Sequence, residues 1–213
     1  MKNETYYITG CSGYSEEIAF ALNRFHNNNI NIYFIEKGSN FINKDSPSGI
    51  RILNEEILKD INSPNVFVTI TNPQIRENIV EKYREFNSDV IFPNFLDSSL
   101  IIDSNSFTMG VGNIILHNTV ITTNVKLGDF NIFNSFTGVG HDTKIGDFNT
   151  FNPKVSISGN VLIGNNNIFG MNSGILQNKS IIDDNNIWIN SVVTKNYKSG
   201  NTLFGVPAKK ILI

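Results

Sequence analysis

From Met109 onward, an apolar residue recurs at every sixth position without a break. The series runs Met109, Ile115, Ile121, Leu127, Phe133, Val139, Ile145, Phe151, Ile157, Ile163, Phe169, Ile175, Ile181, Ile187, Val193. With 40% hydrophobic residues overall, fifteen consecutive matches have a chance of roughly one in a million, so the period is structural. A second period of eighteen lies over it, with the pairs Met109-Gly110, Leu127-Gly128, Ile145-Gly146 and Ile163-Gly164. Three hexads per turn describe a triangular prism of about five stacked coils, one inward aliphatic or aromatic side chain per side. Gly and Asn at the corners, as in Asn165-Asn166-Asn167, suit the positive φ that tight turns need. The residues before Met109 and the tail from about Lys195 are expected to cap the two open ends. A β-sandwich would show period two and uneven loops instead.

Ahead of Phe95 the texture is different. Thr5–Thr9, Asn31–Glu36, Asn65–Ile70 and Asp89–Phe92 read as strands. Ser15 is placed as the cap of a helix whose apolar face is Ile18, Ala19, Leu22 and Phe25. A second helix runs from Asn72-Pro73 through Phe86, with proline at its first position. Alternating strands and helices predict a small parallel βαβ unit, about half a Rossmann fold. The domains are therefore expected at 1–95 and 96–213, and the fold class is α/β plus β.

Net charge is −2, which gives no general pull toward nucleic acid or an anionic membrane. No apolar run approaches the ~20 residues of a membrane span. Met1-Lys2-Asn3-Glu4 leads straight into a strand, with no signal-peptide core. A cytoplasmic protein is expected, and the lone Cys11 excludes an internal disulfide.

Chemistry has few places to reside. Of the three histidines, His26 ends a helix and reads as a solvated surface group. His117 and His141 each lie two residues after an inward apolar position. They are four hexads apart and so fall on different sides of the prism, which leaves no three-histidine zinc site. No metal is expected. A threonine ladder of the ice-binding kind is also missing, because Thr122-Thr123 has no partners at eighteen-residue steps. His141 stands out because Asp142 follows it, and because Gly159, one coil later, leaves room beside an imidazole. No nucleophile–base pair lies near, so direct attack with His141 as base is the chemistry it would suit. The two residues meet only if the chain bends between them, since neighbours on a flat strand point apart. Gly159 is the natural backbone oxyanion donor, or else a turn residue with positive φ. Lys144 is placed at the far corner. Gly10-x-x-Gly13 is an incomplete phosphate-binding fingerprint, and Glu16 and Glu17 would repel a phosphate there.

Gly140-His141-Asp142-Thr143-Lys144-Ile145-Gly146-Asp147-Phe148 resembles the GHDxxIGDF segment of bacterial nucleotide-sugar N-acetyltransferases of the hexapeptide-repeat family. Phe204-Gly205-Val206-Pro207-Ala208-Lys209 is similar to that family's G-x-P-A-K close. Gly10-Cys11-Ser12-Gly13-Tyr14 looks like its GxSGH turn, with Tyr14 in place of the histidine. Sialic acid O-acetyltransferases share the layout. The resemblance implies a left-handed parallel β-helix with a C-terminal capping tail after a Rossmann-like nucleotide-sugar-binding domain. It also implies a homotrimer using acetyl-CoA, with active sites between subunits.

The reaction implied is acetyl transfer to the 4-amino group of a nucleotide-linked 4-amino-4,6-dideoxyhexose, or, as the alternative, to a sugar or sialic acid hydroxyl. By the same resemblance His141 is the general base, Asp142 its partner, and Asn134 a third active-site residue. Thr150, Gly159, Met171 and Ile189 fall where acetyl-CoA lies, Thr150 standing where some relatives carry a second histidine. Ser12, Gly13, Tyr14, Glu36, Lys37, Thr71 and Asn72 fall where the nucleotide-linked amino sugar binds. The choice among UDP, dTDP and GDP is left open by Glu36-Lys37. Phe130, Phe136 and Phe148 are the apolar remnants expected to be exposed for trimer packing.

Overall fold

The structure is a computed structural model that describes residues 4–38 and 44–212. Met1–Asn3, on which the lack of a leader was read, lie outside that range. The chain divides into two compact units. One is made of Met1–Thr71 and Ile75–Pro93, the other of Asn72–Gln74 and Asn94–Ile213. No helix among the described residues is long and apolar enough to cross a membrane.

The first unit holds β1 (Glu4–Thr9), α1 (Gly13–Phe25), β2 (Ile30–Glu36), β3 (Ile52–Asn54), a 3₁₀ turn at Glu55–Asp60, β4 (Asn65–Phe67) and α2 (Pro73–Phe86). The sheet is parallel in the order β3-β2-β1-β4. Strand order therefore reverses between β1 and β4, and the crevice beyond their C-terminal ends is where such sheets take ligands. Ile8, Phe34, Ile35, Ile18, Leu22 and Val80 form its core.

Several sequence expectations change here. The cap of α1 is Ser12, whose Oγ accepts from the Ser15 N–H, while Ser15 sits inside the helix and is buried. The Asp89–Phe92 strand reduces to one bridge, Ile91 to Asn65. The strand read as Asn65–Ile70 ends at Phe67. Phe25 is half exposed. His26 is partly buried and packs on Tyr6, ring centroids 5.6 Å apart. β3 follows a polar stretch with no clear period, which is why it escaped notice.

The second unit is the prism. Two-residue strands recur every six residues, and each pairs in parallel with the strand eighteen residues on. Three sheets result. The first contains Lys126–Leu127, Lys144–Ile145 and Leu162–Ile163, the second Ile132–Phe133, Thr150–Phe151 and Ile168–Phe169, the third Gly138–Val139, Ser156–Ile157 and Gly174–Ile175. The six-residue series points inward, and every member except Met109 is buried. Phe133, Phe151 and Phe169 stack on one another with centroids 4.4 and 4.8 Å apart. A further coil precedes Met109, because Phe95–Leu96 pairs with Ile114–Ile115 and Ile101–Ile102 with Val120–Ile121. Ile102 to Met109 is seven residues, so a count by six misses it. Asp103, whose Oδ2 accepts from Ser106, holds the extra residue in that turn. The far end closes with Thr202–Phe204 and the antiparallel Lys209–Ile211, pinned by Tyr197 donating to the Ala208 carbonyl at 2.6 Å.

Two corner rules emerge. Positive φ falls on every sixth residue from Gly112 through Asn118 and Asn124 to Asn190, and half of these are Asn, which tolerates that conformation. The glycines at 110, 128, 146 and 164 are not among them. Their missing Cβ makes room for the next coil: a Cβ on Gly128 would lie 2.0 Å from Asp147 Oδ1, and one on Gly164 would lie 2.2 Å from Asp183 Oδ1. Those acidic and amide side chains cap main-chain N–H groups, as Asp147 does for Asp129. The eighteen-residue Gly pattern thus records contact between coils, not turn geometry. Phe130 is buried, Phe148 half-buried, and only Phe136 is well exposed. All three occupy positive-φ corners, so the exposed apolar band expected of them is reduced to one ring.

Between the first and second sheets, Asn113, Asn131, Asn149, Asn167 and Asn185 form a fully buried ladder. Each of the first four Oδ1 atoms accepts the main-chain and side-chain N–H of the Asn eighteen residues on, at 2.9–3.2 Å, and Asn185 accepts from Asn201. Asn149 also donates to the Gly164 carbonyl at 2.8 Å. Removing it strands several buried donors and acceptors at roughly 1–3 kcal/mol each. Asn149→Ala should therefore cost about 3 kcal/mol and lower Tm by roughly 6–12 °C, read by thermal unfolding. A shift under two degrees would mean that the ladder carries no stability.

Candidate active site

The corner between the third and first sheets carries His141 and Asp142. Asp142 has φ +60, and this left-handed turn supplies the bend that lets adjacent side chains meet. His141 Nδ1 lies 2.8 Å from Asp142 Oδ2. A carboxylate only accepts, so Nδ1 carries the proton and Nε2 presents a lone pair. The hydrogen bond from His141, then that from Asn124 at 3.2 Å, lowers the Asp142 pKa below the usual carboxylate value. Asp142 stays ionised from neutral pH down through that range, and the contact is lost only as pH falls through the lowered value.

Gly159 lies under the ring. A Cβ there would stand 2.5 Å from His141 Nε2 and 2.7 Å from Cε1. Its φ is not positive, so the turn explanation for this glycine fails, and the room it leaves is filled by the imidazole itself. Gly140 is a glycine for the same reason one layer up: its Cβ would meet the Gly159 nitrogen at 2.6 Å. Among the described residues the Gly159 N–H donates to nothing. A base nitrogen and an uncommitted N–H therefore share one corner.

The other expected residues lie elsewhere in the coil. Asn134, Met171 and Ile189 sit at the corner between the second and third sheets, Asn134 buried and the other two half exposed. His117 is at that corner as well, edge-on to Phe136 at 5.8 Å. Thr150 is buried within the second sheet, 1% exposed. One chain therefore brings His141, Asp142 and Gly159 together but not Asn134, Thr150, Met171 or Ile189. Lys144 is not at a far corner. It opens the strand that follows this turn and shares a groove with Asp142. No group of three or more His, Cys, Asp and Glu able to hold a metal occurs among the described residues.

In the first unit, Ser12 and Gly13 open α1 at the end of β1. Glu36, ending β2, accepts the Cys11 N–H at 3.1 Å. A protein carboxylate thus occupies the anion position that a phosphate would take at this turn. Tyr14 has its hydroxyl buried without a hydrogen-bond partner, and burial raises its pKa. Arg76, which sequence reasoning passed over, is buried beside it, donates to the Ile70 carbonyl at 2.6 Å, and is brought down to about 9 by desolvation. Nothing in a helix-spaced arginine signals such burial. Lys37, Thr71 and Asn72 are exposed.

Residues 6–83 match the family model described as PglD N-terminal domain. No curated protein matches the chain. Among solved structures, the acetyltransferase domain of PglB from Neisseria gonorrhoeae FA1090 is 21% identical with TM-score 0.85, covering 98% of this chain and 100% of that one. A perosamine N-acetyltransferase from Caulobacter crescentus, solved with CoA and GDP-perosamine, is 18% identical with TM-score 0.88 over 98% and 97%. WeeI from Acinetobacter baumannii AYE gives 22% and 0.71 over 98% and 100%. These likenesses establish the fold: a Rossmann-like unit followed by a left-handed parallel β-helix.

The geometry makes the His141 tautomer testable by long-range ¹⁵N–¹H correlation. At a pH where the imidazole is neutral, wild type should show the Nδ1–H form. Asp142→Asn, which donates as well as accepts, should mix the two forms, and Gly159→Ala should shift the ring signals without unfolding the coil. An identical tautomer mixture in wild type and Asp142→Asn would remove Asp142 as the orienting group.

Proposed function

We propose that the chain transfers acetyl from acetyl-CoA to the 4-amino group of a nucleotide-linked 4-amino-4,6-dideoxyhexose. The observation that carries this reading is the His141–Asp142 pair stacked on Gly159, whose main-chain N–H has no acceptor among the described residues. The amine nitrogen attacks the thioester carbonyl carbon while Nε2 accepts its proton. Asp142, already ionised, stabilises the imidazolium. Negative charge gathers on the carbonyl oxygen, where the Gly159 N–H donates to it. The tetrahedral intermediate collapses, the C–S bond breaks, and the imidazolium returns its proton to the departing thiolate. No acyl-enzyme forms. In support, the solved Caulobacter and Neisseria structures hold CoA with GDP-perosamine and acetyl-CoA respectively.

The placement of the remaining site residues argues for assembly. His141 and Gly159 occupy one corner, and Asn134, Met171 and Ile189 the next. Residues on two corners of a prism face one cleft when the corner of one subunit meets the other corner of its neighbour, and a threefold arrangement repeats that contact three times. On this reading the donor lies between subunits. Ser12, Gly13 and Glu36 take the nucleoside end of the acceptor, near the switch point of the parallel sheet.

His141→Ala should lower kcat by roughly 10²–10⁴-fold with acetyl-CoA affinity kept, measured with a panel of UDP-, dTDP- and GDP-linked 4-amino sugars and their 4-hydroxy counterparts. Unchanged turnover in that variant would discard the base, and faster turnover of a hydroxy sugar would assign O-acetylation. Light scattering should give a trimer's mass at micromolar concentration. A monomer that is fully active would end the intersubunit site.

A further inference from the structure

Lys126 and Lys144 are the outward residues of adjacent parallel strands and stand in direct register. Like charges so placed repel across a sheet, and an outward position asks nothing of the residue for folding. Neither of them, nor Lys179, makes an ion pair among the described residues. Lys144 and Lys179 line a groove of about 300 Å³ along the first sheet. The same groove is lined by the corner residues Asp142, Asn160, Asn178 and Asn196, at eighteen-residue steps, and by Val161 and Leu162. Lys126 lies one coil before it. Asp142, held by His141 and Asn124, is the one carboxylate lining the groove against two ammoniums, so the lining is net positive. Ammonium groups beside side-chain amides are the chemistry that holds a phosphate ester.

We propose that the in-register pair Lys126 and Lys144, together with Lys179 one residue before the same column, binds the diphosphate of one of the enzyme's two substrates. The naming of those substrates rests on the transferase reading, but the anion site itself does not. Lys144 is three residues beyond His141, at the level of the reacting atoms. In the acceptor a single hexose ring separates the amine from the diphosphate. In the donor the whole pantetheine arm separates thioester from diphosphate. Proximity therefore favours the acceptor.

The test has a binding arm and a kinetic arm. Inorganic pyrophosphate, titrated into the full chain at low salt by calorimetry, should bind saturably. The Lys144→Met/Lys179→Met double variant should bind it roughly tenfold more weakly, and salt should weaken the wild type toward the variant. Tm should stay level or rise, because repulsion is relieved; a lysine needed for folding would lower it. Kinetically, the variant should raise KM for the nucleotide sugar and leave that for acetyl-CoA alone. The reverse pattern would assign the same groove to the donor's diphosphate. Equal pyrophosphate binding by wild type and variant would overturn the inference, whether or not any sugar is acetylated. Pyrophosphate binding lost in the variant, together with no turnover on any sugar, would keep the groove and reject the transferase reading.

Discussion

Every coil of the prism leaves its main-chain donors and acceptors to be satisfied by the coil above and the coil below. The buried asparagine column is the interaction that makes this stacking exact in register. A side-chain amide offers a donor and an acceptor on one rigid plane, so each Asn reads the position of the next coil from both directions. Slippage by one residue would leave a run of buried amides unpaired, a larger penalty than any single inward Ile or Phe imposes. The apolar series fills the prism, and the amide column fixes where each coil must sit.

That fixed register is what allows His141 to be addressed from Gly159. The two residues are eighteen apart, and only a strict repeat sets one under the other. The small residues Gly140 and Gly159 are then a consequence of close layering, with the imidazole seated where a Gly159 side chain would otherwise stand. Asp142 owes its position to the same turn that every corner uses, filled here by a carboxylate in place of the usual Asn.

Much of the β-helix was legible because its period is long and almost unbroken. The extra coil at Phe95–Ile102 was not, since one added residue before Met109 shifts the phase. The eighteen-residue glycines were seen but given the wrong cause, because a sequence shows small residues without showing whose side chain needs the space. In the parallel unit, β1, β2 and the first helix followed from apolar pattern and the second helix from Pro73 at its start, whereas the three-residue β3 carried too little pattern to register. The His141–Asp142–Gly159 grouping was readable from spacing plus family likeness. Arg76 and the paired Lys126 and Lys144 were not, since burial and cross-strand register arise only on folding.

Five successive corners, Phe130, Phe136, Asp142, Phe148 and Lys154, hold left-handed backbone with φ from 53 to 63. Gly or Asn fills the three corners before them and the four after. A bulky side chain in that conformation costs roughly 1–2 kcal/mol, offset in part where Phe130 stacks on Phe148 at 5.0 Å. The expense is concentrated in the coils that flank His141. The C-terminal end of the prism is closed by Thr202–Phe204 and Lys209–Ile211, whereas these strained corners gather at its middle. Amide exchange should then be faster at its centre than beside the closed C-terminal end, making the prism a beam that gives at mid-length.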